Sequence, residues 1–409
     1  MYFLLIKTYG LLLKIAALFY PKAALWVNGR KNWRETLLLK TQKLAANEHR
    51  FWVHAASLGE FEQGLPVIQG LKKQYPNCQI ILSFFSPSGF EAKKNDPIAD
   101  LVCYLPLDTP KNAQDFIELI SPTAAFFIKY ELWACHFAEL KNKNIPLVLF
   151  SAIFNENKWL FSPLFSAFTK KTLSLATKIL VQDNESVEIL GKLGILHVRQ
   201  CPDTRFDRVC EVANTSFEHA FIEQFIKNKT VIVAGSTWQP DEELLYKTMQ
   251  KLPENFVLIV APHEIDGLHI SNLQKNAPYK AILLSENELA PDARILIVNS
   301  VGLLRYLYRF GKYAYIGGGF GAGIHNTLEA AAYGKPVFFG PKNQNFNEAQ
   351  KLKKIHQPSE IKNSADLCQA ILELEGNSEL YTQTAADILA FTRQNVGGTQ
   401  QVIEVFKNI

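Results

Sequence analysis

Cysteine pairs, charge of one sign, metal-type clusters and a clean apolar span are scarce in this chain. Its six cysteines, Cys78, Cys103, Cys135, Cys201, Cys210 and Cys368, form no C-x-x-C pair. That spacing indicates neither a zinc site nor a disulfide framework, and several lie in apolar runs that read as buried thiols of a reducing compartment. The formal net charge is only +4, from 43 Lys and Arg against 39 Asp and Glu. A dedicated nucleic-acid binder would carry a stronger basic stripe, so no nucleic-acid partner is expected. There is no D-x-D pair, and Asp, Glu and His nowhere take metal-ligand spacing, so neither a metal nor another cofactor is expected. No internal repeat or low-complexity segment appears.

The one long apolar stretch, residues 2–27, is interrupted by Lys7, Lys14 and Lys22. It lacks the charged start, clean apolar middle and small-residue cleavage site of a signal peptide. A lysine near the bilayer centre costs about 2.5–3.5 kcal/mol on insertion scales. Lys7 and Lys14 are seven residues apart and share a helical face. A helix lying in the membrane interface lets them reach headgroups while Phe3, Leu4, Leu11, Leu12 and Phe19 enter the acyl region. Lys22, Arg30, Lys31 and Arg34 then form a basic flank suited to anionic lipid. The competing reading is an ordinary first helix docked on the protein.

At 409 residues and 48% hydrophobic, the chain has material for two cores. Short apolar runs alternate with amphipathic stretches. Strands are expected at Phe51–Ala55, Gln79–Phe84, Leu101–Leu105, Thr123–Ile128, Pro146–Ser151, Lys178–Gln182 and His197–Cys201. Helices are expected between them, among them Glu60–Gln74, Lys111–Ile120 and Glu131–Asn142. The alternation pauses over Asp207–Lys229 and resumes with strands at Thr230–Ala234, Phe256–Val260, Ala281–Leu284, Arg294–Val298, Tyr313–Ile316 and Pro336–Phe339. The tail Ser364–Ile409 reads as helical, broken at Gly397-Gly398. This is an α/β pattern of two Rossmann-like, doubly wound parallel-sheet domains with a ligand cleft between them. The expected division is a membrane-associated helix over 1–27, a first domain over 28–206, a linker over 207–229 and a second domain over 230–409, whose terminal helices can pack back on the first.

Candidate chemistry gathers where strands end. Ser57-Leu-Gly59-Glu60 puts a carboxylate in a first helical turn, where the helix dipole favours its ionised form. Such a group at a cleft can take a proton from a hydroxyl, or it can simply cap the helix. Ser86-Pro-Ser88-Gly89 offers hydroxyls and turn amides to an anion, with capping as the alternative. Glu131 follows a parallel strand, where charged residues face the ligand crevice, and it too can cap. Arg205 can reach a phosphate or carboxylate, or pair with Asp207. In the second half Ser236, Thr237 and His263 stand at successive strand ends. The run Gly317-Gly318-Gly319-Phe-Gly-Ala-Gly323 allows close approach to a phosphate at a helix start. Its G-x-G-x-x-A match occurs late in the chain, and the following strand lacks a terminal acid, which argues against dinucleotide binding. Asn326 and Glu329 follow, and Glu329 can accept bonds from ribose hydroxyls.

Together these segments resemble the 3-deoxy-D-manno-octulosonic acid (Kdo) transferases, glycosyltransferase family 30. The matching stretches are Gly29-Arg30-Lys31, His54-Ala-Ala-Ser-Leu-Gly-Glu60, Ser86-Pro-Ser-Gly89, Glu131-Leu-Trp133, Arg205-Phe-Asp207, Gly317–Gly319, His325-Asn-Thr-Leu-Glu329 and Gly334-Lys-Pro-Val-Phe-Phe-Gly-Pro341. The resemblance implies the GT-B fold and a metal-independent, inverting transfer of Kdo from CMP-Kdo to a lipid A precursor, lipid IVA, in lipopolysaccharide synthesis. It implies Glu60 as general base. Ser57, Gly59, Ser86, Ser88, Gly89, Glu131 and Arg205 would contact acceptor or donor sugar, and Ser236, Thr237, His263, Gly317, Gly318, Gly319, Asn326 and Glu329 would hold CMP. Anionic lipid at the cytoplasmic face of the inner membrane would be a further partner. The chain departs from the family pattern at Pro262, where an Arg is usual, and at Lys129, Arg205 and Ala330. Alternatives are another GT-B nucleotide-sugar transferase acting on a membrane lipid, or a non-catalytic binding protein of the same fold.

Overall fold

The computed structural model describes residues 2–44, 49–155, 159–162 and 165–407. The chain divides into two units, Met1–Asp207 with Val396–Ile409, and Arg208–Asn395. Among the described residues the first unit holds seven strands: β1 (Arg50–Ala55), β2 (Gln79–Phe84), β3 (Leu101–Tyr104), β4 (Ala124–Ile128), β5 (Leu147–Ala152), β6 (Lys178–Val181) and β7 (Val198–Gln200). The second holds six: β8 (Thr230–Thr237), β9 (Phe256–Pro262), β10 (Ala281–Leu283), β11 (Ile295–Ile297), β12 (Tyr313–Ile316) and β13 (Val337–Phe339). Each expected strand is present, with ends shifted by at most three residues.

All strand pairs are parallel, in the orders β3-β2-β1-β4-β5-β6-β7 and β10-β11-β9-β8-β12-β13. Parallel strands need crossover helices on both faces, so the central strands are buried on both sides, while edge strand β7 is largely exposed. Strand β1 shows this by alternation. Phe51, Val53 and Ala55 pack on one face with Phe61, Val67 and Leu71, while Trp52 packs on the other with Phe116 and Ile117. Strand order reverses between β1 and β4 in the first sheet and between β8 and β12 in the second. Neighbouring crossovers there leave in opposite directions and open a crevice at the carboxyl ends. Glu60 follows β1 and Glu131 follows β4, whereas Ser236 ends β8 and the glycine run follows β12.

The first helices are α1 (Tyr2–Ala16), α2 (Pro21–Asn28), α3 (Trp33–Thr41), α4 (Leu58–Gln74) and α5 (Pro87–Lys93). No helix among the described residues is long and apolar enough to cross a membrane. Helix α1 is docked by one face and bare on the other. The Tyr2 hydroxyl donates to Asp108, and a Cβ on buried Gly10 would lie 2.6 Å from Leu107 Cδ1. Phe3, Leu4, Leu11, Leu12 and Phe19 are exposed, Leu4 by 70% and Phe19 by 74%. The expected basic flank is smaller than its sequence suggests. Arg30 is turned inward, donating to the carbonyls of Leu105 at 2.8 Å, Phe85 at 2.8 Å and Trp26 at 3.2 Å, with Trp26, Phe85 and Tyr104 rings around it. Burial pulls its pKa down to about 9. Arg34 is paired with Asp115 at 2.6 Å. Lys22 and Lys31 remain exposed.

Residues 207–229, expected as a polar, helix-prone connection, are helical over most of their length. They form the helices Arg205–Asn214 and Ala220–Phe225, and from Arg208 onward they belong to the second unit, where Arg309 Nη2 donates to Thr215 O at 2.7 Å. The tail forms helices Ser364–Gly376, Ser378–Gln394 and Gly398–Lys407; residues 408–409 of the expected run lie outside the described residues. The last helix packs on α4, where a Cβ on Gly70 would lie 2.4 Å from Ile403 Cδ1. The Asp207 carboxylate secures its start, accepting from Gly397 N at 2.6 Å and Thr399 N at 2.8 Å.

Candidate active site

In the first unit the chain leaves β1 and turns directly into α4, so Glu60 stands in the first helical turn above the sheet edge. Its Oε2 accepts from Ala56 N–H at 2.6 Å, while Oε1 has no protein partner among the described residues. The capping reading therefore holds for one oxygen and leaves the other for a ligand. Glu60 is 8% exposed. Burial raises its pKa, against the Ala56 hydrogen bond and the nearby Lys129, which lower it. The helix start was expected to favour the ionised form; desolvation outweighs it, and the result is a more basic carboxylate.

Glu131 sits in the turn after β4, before the helix Ala134–Asn142, which starts three residues later than expected. It does not cap that helix. Buried Asp108 does, accepting from Cys135 N and His136 N at 3.0 Å each and from His136 Nδ1 at 2.6 Å. Burial first, then repulsion from Glu60, raise Glu131 to about 7. Burial thus raises both carboxylates at this switch point, and the Glu60 charge adds to the rise at Glu131. Lys129 takes the left-handed conformation at φ 62°, and its charge favours ionisation of both.

The remaining expected residues of this unit divide. Ser57 is the N-cap residue of α4 without a capping bond, and Gly59 is exposed, with a Cβ there meeting only Ser57 Oγ at 4.0 Å. Both leave room at Glu60. Ser86 caps α5, accepting from Ser88 N at 3.4 Å, and the two hydroxyls lie 3.0 Å apart. Gly89 is a packing residue, since a Cβ would sit 2.3 Å from the Phe84 ring. Arg205 is committed to Asp203, with Nε at 2.9 Å and Nη2 at 2.8 Å from Oδ2, and not to Asp207. Asp203 also accepts from Gln63 and Gln182.

In the second unit Ser236, His325, Asn326 and Glu329 line one cavity of about 360 Å³ with Gly302, Arg305 and Tyr308. Ser236 takes the left-handed conformation at φ 52°, a strain borne where β8 bulges at its end. Asn326 Nδ2 donates to Glu329 Oε1 at 3.3 Å, and its Oδ1 accepts from Leu328 N at 3.1 Å, which orients both side chains. Arg305 was not legible as a site residue. Its only signal is a cation shortly after Gly302, beyond the end of β11.

Three expectations for this unit are corrected. Thr237 is buried, and its hydroxyl is spent on Glu242 Oε1 at 3.0 Å. His263 lies exposed outside the cavity lining, stacked on Trp238 and on His325 at 4.6 Å each. Two glycines of the run are needed for close approach of backbone: a Cβ on Gly317 would be 2.3 Å from Ser236 O, and one on Gly319 2.5 Å from Gly340 Cα. Gly318, at φ +90°, donates its N–H to Asp241 Oδ2 at 2.8 Å. The helix that follows, Leu328–Ala331, is a single turn.

Parallel-sheet α/β units with polar residues gathered at their switch points define a GT-B protein. UDP-GlcNAc 2-epimerase from Neisseria meningitidis, solved bound to UDP-GlcNAc, superposes with a TM-score of 0.60 at 14% identity, covering 87% of this chain and 99% of that one. The family profile of the 3-deoxy-D-manno-octulosonic-acid transferases (kdotransferases) matches residues 31–208. A 3-deoxy-D-manno-octulosonic acid transferase from Aquifex aeolicus is 29% identical over 331 residues, 79% of this chain and 85% of its own. One from Haemophilus influenzae is 26% identical over 377 residues, 87% of this chain and 86% of its own. The chain is thus similar to the Kdo transferases, through this profile and through relatives aligned over most of its length.

Proposed function

We propose that the protein moves Kdo from CMP-Kdo to a glucosamine hydroxyl of a lipid A precursor, with inversion and without a metal. The observation that carries this is the Glu60 carboxylate: seated at the switch point of the first sheet, oriented through one oxygen by Ala56 N–H, and made more basic by burial. Such a group takes the proton of an acceptor hydroxyl as that oxygen attacks the anomeric carbon. The bond from anomeric carbon to phosphate breaks, and CMP leaves with the electron pair. Ser236, Asn326 and Glu329 would bind CMP, with Glu329 on the ribose hydroxyls and Arg305 supplying a cation in the cavity.

In this reading the reaction needs no metal ion. The bare apolar face of α1, with exposed Lys7, Lys14, Lys22 and Lys31, suits a helix resting on an anionic membrane, in this reading the cytoplasmic face of the inner membrane. The test is purified protein with CMP-Kdo generated in situ and the lipid acceptor, with products read by mass spectrometry. An acceptor heavier by one or more Kdo residues, formed equally in EDTA, is the expected result. No product from CMP-Kdo, with transfer from another nucleotide sugar, would overturn the donor; activity lost in EDTA and restored by magnesium would overturn metal independence.

A further inference from the structure

We propose that a cavity beside Glu131 in the first unit binds one acyl chain of the acceptor, an inference that rests on the lipid acceptor proposed above. The cavity has a volume of about 760 Å³. That lies within the ~300–1,000 Å³ typical of ligand sites. Its walls come from three separate segments: Ile6 on α1, Trp133 after β4, and Leu160 and Phe168 beyond β5. Glu131 supplies the single carboxylate of the lining.

The chemistry of the wall selects the occupant. Aliphatic and aromatic side chains dominate it, so a sugar or nucleotide inside would leave hydroxyls or phosphates without partners. A hydrocarbon chain has none to satisfy. Two of the lining residues say how that chain would enter and what it would reach. Leu5 both lines the cavity and is 51% exposed, so the mouth is continuous with the bare apolar face of α1. Glu131, also in the lining, is close enough to Glu60 to feel its charge. A chain drawn from the surface along α1 would therefore end with its polar headgroup beside the base. The helix so far read as a membrane rest becomes one wall of the acceptor site.

Two measurements test this. The first compares an acylated acceptor with the same disaccharide stripped of its acyl chains. Ile6→Trp fills the cavity, and the ratio of kcat/KM for the acylated over the stripped acceptor should fall at least about tenfold. An unchanged ratio overturns the proposal. The second needs no turnover, and so separates this inference from the proposed reaction. A dibrominated fatty acid should quench tryptophan emission of the wild-type protein saturably, and Trp133→Phe should remove the saturable part. Absence of saturable quenching in the wild type, or its persistence in Trp133→Phe, overturns the acyl site even if Kdo transfer is demonstrated. Saturable quenching through Trp133 in a protein inactive with every Kdo donor would sustain the site and sink the reaction.

Discussion

Replacing Glu60 by Gln separates the chemistry of this carboxylate from its structural work. The side chain has two tasks in the structure, accepting from Ala56 N–H through Oε2 at 2.6 Å and presenting Oε1 free. Glutamine keeps an oxygen for the first task and loses the proton acceptor for the second. General-base catalysis contributes roughly 10²–10⁴-fold. At 1.36 kcal/mol per tenfold, that is about 2.7–5.4 kcal/mol of barrier. Stability should move the other way or not at all, because the variant removes a buried carboxylate whose ionised form burial disfavours. Glu60→Ala, which loses the bond to Ala56, should cost about 0.5–2 kcal/mol of stability, as for a lost helix cap. The assay is transfer rate by mass spectrometry beside denaturant unfolding, with CMP-Kdo binding measured by calorimetry. Glu60→Gln should bind donor, unfold like the wild type and transfer at least a hundredfold more slowly. A near-wild-type rate in Glu60→Gln refutes the base assignment and leaves Glu60 a helix cap.

Four further outcomes follow from particular residues. Glu131, at about 7 in the folded protein, binds its proton above the unfolded value of roughly 4.3, so stability is lost as pH rises through that window. Glu131→Gln should therefore gain about 1–3 kcal/mol over the wild type at pH 8 and nothing at pH 4; equal stabilities at pH 8 count against the shift. Gly319→Ala forces a Cβ to 2.5 Å from Gly340 Cα and should destabilise by about 1–3 kcal/mol or more in denaturant unfolding, whereas a variant of full stability with weaker CMP binding would restore the phosphate reading. Arg30→Ala strips three carbonyls of their donor and should cost about 2–4 kcal/mol. Lys31→Ala should leave stability unchanged and weaken binding to anionic vesicles by about 1 kcal/mol, so the reverse pattern would return Arg30 to the membrane face.

Periodicity alone was enough for the architecture. A strand buried on both faces must be apolar throughout, and the crossover to its parallel neighbour must be an amphipathic helix. Runs such as Gln79–Phe84 and Phe256–Val260 therefore announce a doubly wound sheet before any contact is known. Strand ends were legible too, and with them Glu60, Glu131, Ser236 and Asn326, because ligand crevices form where strands finish.

What a residue touches there was not legible. Arg30 looks like part of a basic flank until three carbonyls and three rings close around it. Arg205 looks like an anion ligand until Asp203, two residues before it, takes its guanidinium. The glycines after β12 look like a phosphate loop, yet Gly317 and Gly319 are needed where their backbone crosses β8 and the end of β13. In each case the competing readings share the same local sequence, and the partner that decides between them arrives from another element. Sequence by itself determined the layered parallel sheets and the places where chemistry can gather, because burial and hydrogen bonding act along each segment. Only the tertiary structure decided which charges are spent on the fold, how far burial lifts Glu60 and Glu131, and that Arg305 joins Ser236, Asn326 and Glu329, because those outcomes depend on neighbours brought together by packing.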